Sequence, residues 1–138
     1  MTATAVLLPV FVEVALTFVL LFRMGSLRIR ALRDRTLRIG DIALGEPNWP
    51  KPTLQVQNAF QNQFELPVLF YVLIALALIT QHASAPLAGL AWLFVISRVV
   101  HAFIHSTSND VPRRFWAYCF GMTVLIIMWL WFAVSVIA

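Results

Sequence analysis

Four apolar stretches, each long enough to cross a lipid bilayer, constrain this chain more than any other feature. A hydrocarbon core needs about 20 consecutive apolar helical residues. Such stretches run from about Ala3 to Phe22, Ala59 to Thr80, Leu87 to His105 and Phe115 to Ile137, with ends placed to about two to four residues. With 138 residues of which 61% are hydrophobic and 12% charged, a water-soluble domain could not hide its apolar surface, because small domains expose much of what they contain. The expectation is one all-α membrane domain over residues 1–138, an up-down-up-down four-helix bundle with short connections. Such a bundle leaves enough apolar surface to oligomerise.

The charges alternate between connections. Arg23, Arg28, Arg30, Arg33, Arg35, Arg38 and Lys51 lie between the first two stretches, and Arg113 and Arg114 between the last two. The connection from Gln81 to Ala88 has no Lys or Arg. This positive-inside pattern predicts two cytoplasmic loops and both termini on the opposite side. The basic pI of about 10.2 then reflects topology and contact with anionic headgroups or an anionic ligand, and nucleic acid is not an expected partner. A single cysteine, Cys119, excludes an internal disulfide framework and a multi-cysteine metal site. The first stretch lacks a basic leader and a clear small-residue cleavage site, so a retained span is expected.

Polar residues inside the spans are costly and mark candidate sites. Gln55, Asn58, Asn62 and Glu65 are spaced three, four and three apart, on one helix face near the expected cytoplasmic end. They could hold a ligand's ammonium or amide groups, or clamp helices together. Arg98, His101 and His105 share a face of the third span. Arg98 needs a carboxylate partner, with Glu13 and Glu65 as candidates and a Glu13–Arg98 ion pair as the expectation. No third ligand is well placed beside the two histidines, so hydrogen bonding is favoured over a metal. Asn109-Asp110-Val111-Pro112 is a helix-start signal. Just beyond it, Arg114 shares a face with Tyr118 at a helix N-terminus, a favourable place for an anion or thiolate; Arg113 is assigned to topology. All these groups converge at the expected cytoplasmic side.

The motif Asn62-Gln-Phe-Glu65-Leu-Pro67, with Arg98-Val-Val-His101, Pro112-Arg-Arg114 followed by Tyr118, and Gly25-Ser-Leu-Arg28-Ile-Arg30, resembles the MAPEG family, the membrane-associated proteins of eicosanoid and glutathione metabolism. The third-span and downstream motifs resemble the microsomal prostaglandin E synthase branch at matching spacing, and the overall pattern looks closer to bacterial members. The resemblance implies a homotrimer in a bacterial inner membrane. Glutathione, as co-substrate, would bind bent at subunit interfaces near the cytoplasmic face, and lipophilic electrophiles would reach it from the bilayer. By position, Asn62 and Glu65 would hold its amino-group end, and His101, Tyr118 and Arg28 would contact its peptide or carboxylates. His105 would line the site where relatives carry tyrosine, and Arg114 would stabilise the thiolate. Gln61 stands where eukaryotic relatives often have arginine, which implies weaker carboxylate anchoring. The implied function is a glutathione transferase or peroxidase; the alternative is a non-catalytic binding or structural protein of the same fold. A transporter is disfavoured, since the polar residues gather at one side and broken-helix signals within spans are scarce.

Overall fold

In a computed structural model, which describes residues 3–137, five α-helices make four long apolar rods. Helix α1 covers Ala3–Arg33, α2 Lys51–Gln61, α3 Leu66–Ile79, α4 Ala85–Ser106 and α5 Val111–Ile137. At about 1.5 Å per residue, the 31 residues of α1 exceed a hydrocarbon core of roughly 30 Å. Its last turns therefore carry Arg28, Arg30 and Arg33 out of the apolar zone. Helix α5 begins earlier than its apolar residues suggest because Asp110 caps it: Asp110 Oδ1 accepts the Arg113 N–H at 3.0 Å, satisfying a donor with no partner inside the helix.

The second rod, Lys51–Ile79, is broken, although the sequence offered few signs of a break inside a span. A 3-10 turn at Asn62–Phe64 is followed by Glu65 at φ −100°, ψ −105°, and α3 restarts with Pro67 in its first turn. Proline has no N–H to donate and its ring collides with the carbonyl four residues back, so an unbroken helix through Pro67 is disfavoured. At the first turn of a new helix neither defect matters.

Two clusters of buried apolar side chains reveal the topology. One joins Val6 of α1 to Phe70, Leu73 and Ile74 of α3, Leu87 to Val95 of α4, and Val124 to Phe132 of α5. The other joins Leu20 and Met24 of α1 to Val56 and Ala59 of α2 and Ala102 of α4. Early α1 thus meets late second rod, early α4 and late α5, which is an up-down-up-down bundle. Between the two levels lie buried polar groups, Glu13, Gln63 and Arg98. The outer surface is apolar, with Phe11, Phe22, Ile96, Phe103, Trp116 and Leu130 among its exposed side chains, as lipid solvation requires.

Lipid offers no hydrophobic drive for helix association, so close packing must supply it. Helices α4 and α5 pack closely at Gly121, where an added Cβ would stand 2.5 Å from Ser97 Oγ and 3.8 Å from Arg98 Cδ. The Ser97 hydroxyl donates to the Phe94 carbonyl at 2.6 Å and would have to leave that bond. Gly121→Val should therefore cost about 1–3 kcal/mol through overpacking. Gly121→Ala, relieved by rotation of one hydroxyl, should cost less. Unfolding midpoints of the purified variants in detergent check this, and a valine variant as stable as the parent would contradict it.

Candidate functional site

At the helix break the Asn62 carbonyl accepts the Glu65 N–H at a long 3.5 Å, in a medium where a weak bond is costly, and Arg98 adds a stronger donor. Its Nη2 donates to the Asn62 main-chain carbonyl at 3.2 Å and to Asn62 Oδ1 at 2.8 Å. Arg98 is 0% exposed, and its Cζ lies 5.7 Å from the centre of the Tyr118 ring, a cation–π contact. One guanidinium thus ties the second, third and fourth rods at one level.

The expected Glu13–Arg98 ion pair is not closed. Among the described residues the ion pairs within 4.0 Å are Arg33–Asp34 and Arg113–Asp110. Glu13 is 0% exposed with neither carboxylate oxygen hydrogen-bonded, and Arg98 Nε and Nη1 are likewise free. Asn62 sets the guanidinium's position by offering two oxygens, one main-chain and one side-chain, at contact distance.

Beside this tie lies a cavity of about 200 Å³ lined by Asn62, His101, His105, Val111, Arg114, Phe115 and Tyr118. His101 and His105 are one turn apart on α4, with ring centres at 5.5 Å, and His101 lies 5.7 Å from the Tyr118 ring. Both imidazoles are buried with an unbonded Nδ1. Arg114 enters from the first turn of α5, its Nη1 bonded to Asn109 Oδ1. The lining therefore offers a guanidinium, a helix N-terminus, two imidazoles, a phenol and an amide, a set that suits a polar anion.

Five of the seven residues expected to bind or react meet in this cavity: Asn62, His101, His105, Arg114 and Tyr118. Arg28 and Glu65 do not. Arg28 Nη2 donates to Gln57 Oε1 at 2.7 Å, and its Cζ sits 5.0 Å from the centre of the Trp49 ring. Glu65, at the distorted residue that ends the 3-10 turn, is exposed, so Asn62 and Glu65 do not present one continuous face. Gln55 proves to be a clamp, its Nε2 donating to the Thr107 carbonyl at 2.7 Å. The sequence reading missed Gln57 and Trp49 as partners of Arg28 and Asn109 as the partner of Arg114. Gln57 was visible one turn from Gln61, but nothing in the spacing paired it with α1. Among the described residues no group of three His, Cys, Asp or Glu side chains is arranged to hold a metal ion.

Residues 6–134 match the MAPEG family. The chain belongs to that family. No curated protein and no solved structure matches it. As a MAPEG protein with four apolar helices long enough to cross a bilayer, it is an integral membrane protein, and its motif asparagine and third-span arginine are the two ends of one hydrogen-bonded contact.

That contact yields a coupling test. Arg98→Leu leaves the Asn62 carbonyl without its charged donor and should cost about 1–3 kcal/mol. Arg98→Lys keeps the charge but not the planar fork and should recover part of the loss. In a double-mutant cycle with Asn62→Ala, the combined loss should differ from the sum of the single losses by about 0.5–3 kcal/mol. Strict additivity in detergent unfolding would show that the two side chains do not cooperate.

Proposed function

We propose that this protein is a glutathione-dependent membrane transferase or peroxidase that presents the glutathione thiolate to lipophilic electrophiles. The observation that carries this reading is the cavity in which Asn62, His101, His105, Arg114 and Tyr118 converge, with Arg114 on the first turn of α5. A thiol with a pKa near ~8.5 is mostly protonated at neutral pH, and a cation beside a helix N-terminus favours its ionised form. A shift of about two units needs only ~2.7 kcal/mol of differential stabilisation. Arg114 is the residue assigned to that task. Asn62, His101, His105 and Tyr118 hold the peptide, and the released proton passes to water at the loop side.

In conjugation, the thiolate sulfur forms a bond to an electrophilic carbon, and the leaving group departs with the electrons of the bond that breaks. With a lipid hydroperoxide, sulfur attacks the O–O bond, giving an alcohol and a glutathione sulfenic acid. A second glutathione then converts the sulfenic acid to disulfide and water. Both courses use the same activated nucleophile, and the electrophile arrives from the apolar surface around the bundle.

A cavity of about 200 Å³ is small against the roughly 300–1,000 Å³ typical of small-molecule sites. Arg28 and Glu65 point elsewhere in the same subunit. Assembly as a homotrimer, with glutathione between subunits, would enlarge the site and bring these residues to the ligand from a neighbouring copy. The charge pattern supports cytoplasmic placement of the loops 34–50 and 107–110 with both termini periplasmic, in a bacterial inner membrane.

The second reading is a non-catalytic membrane protein of the same fold, favoured by the side-chain clamps Arg98–Asn62, Gln55–Thr107 and Arg23–Ser106. The two readings part on one titration. Under the catalytic reading, wild-type protein raises the ultraviolet thiolate absorbance of added glutathione. Arg114→Ala then abolishes that rise and slows conjugation of an apolar electrophile by about 100-fold or more. Calorimetry showing no binding at millimolar glutathione would exclude it, and a melting temperature unmoved by glutathione would favour the structural role.

A further inference from the structure

Arg114 is held by a residue that carries no charge. Its Nη1 donates to Asn109 Oδ1, and Asn109 is itself fixed by the main chain that joins α4 to α5. Asn109 sits at φ 52°, a left-handed conformation that asparagine tolerates better than most residues. Its N–H donates to the Ile104 carbonyl at 2.8 Å. The next residue along the chain is an acid, Asp110, but that carboxylate is committed elsewhere. Asp110 Oδ1 accepts the Arg113 N–H at 3.0 Å, and Oδ2 lies 3.4 Å from Arg113 Nε. The polar groups that share the cavity with Arg114 are His101 and His105 from α4, Tyr118 from α5 and Asn62 from the second rod, with Arg98 just behind them. No carboxylate is among them.

We propose that Asn109 is a positioning residue that fixes the Arg114 guanidinium at the cavity through a neutral oxygen, so that its positive charge stays free for an anionic ligand. A guanidinium has five N–H donors in a rigid fork. An amide oxygen occupies one edge and sets the orientation, while the other edge keeps its donors and its field. A carboxylate of the same shape would form a charge-assisted pair and spend that field internally. Asparagine is thus selected twice at this position, by the left-handed backbone and by the need for an uncharged acceptor. Asp110 and Asn109 divide the work, with the acid capping the helix and holding Arg113, and the amide holding Arg114.

In its effect on glutathione this inference rests on the thiolate reading above; the contact itself does not. The test uses the full chain in detergent with Asn109→Asp, which keeps shape and backbone preference but adds charge, and Asn109→Gly, which keeps the backbone and removes the side chain. The first measurement is the rate at which phenylglyoxal modifies Arg114, followed by peptide mass spectrometry. Arg114 should react several-fold faster than wild type in the glycine variant and several-fold slower in the aspartate variant. Equal rates in all three chains overturn the clamp, whatever glutathione does. The second measurement is thiolate absorbance of bound glutathione across pH. Asn109→Asp should leave about tenfold less thiolate than wild type at neutral pH, and Asn109→Gly should give a smaller loss. An aspartate variant with wild-type thiolate overturns the role of neutrality. Ordered labelling rates with no thiolate in the wild type would uphold the clamp and count against the glutathione reading alone.

Discussion

A proline inside a membrane-crossing rod opens a gap in the main-chain hydrogen bonding that lipid has no means to close. The rest of this bundle is arranged around the turn at Asn62–Phe64 and Glu65 that stands in for the lost helix. The guanidinium of Arg98 reaches the Asn62 carbonyl and side chain, and doing so fixes α4 against the second rod. The same group lies against Tyr118, which fixes α5. Because Gly121 lets α5 come close to Ser97 and Arg98, the arginine is roofed on its remaining side. A buried cation is expensive in a membrane; here it strengthens a break where the Asn62 carbonyl otherwise accepts the Glu65 N–H at a long 3.5 Å.

The consequence for the site is geometric. Asn62 belongs both to the break and to the cavity, so the fold and the site share a side chain. His101 stands one turn beyond Arg98 and His105 one turn further, so the residues that face the cavity inherit their placement from the same helix face. The wall built from α4 and the break is tied by the Arg98–Asn62 contacts. The opposite wall, Arg114 on α5, depends on the short connection that precedes it.

Much of this was legible in the sequence, and the reasons differ by level. The rods followed from apolar run length alone, since a bilayer imposes a minimum. The convergence of Asn62, His101, His105, Arg114 and Tyr118 followed from helical spacing plus topology. Arg98's partner did not follow, because pairing rules look for an opposite charge, and the oxygens it meets belong to Asn62 at a helix break marked in the sequence only by Pro67. Glu65 was misplaced for the same reason: spacing arguments assume an unbroken helix, and the distorted turn at Glu65 moves it off the Asn62 face. Arg28 was expected at the site, but its contacts with Gln57 and Trp49 depend on how a long connection folds back, and periodicity carries no information about that. Asn109 was read as a helix-start signal, and its side chain also accepts a hydrogen bond from Arg114.

The two apolar clusters described above are unequal. Among the described residues, the one near the chain termini comprises fourteen buried residues from all four rods, and the one on the loop side comprises five. Local opening free energy follows the density of buried apolar contacts, so stiffness is graded along the bilayer normal. The half that holds the cavity is the looser half. A ligand entering there would need to disturb only the thin end of the bundle, while the thick end keeps the helices in place through the exchange.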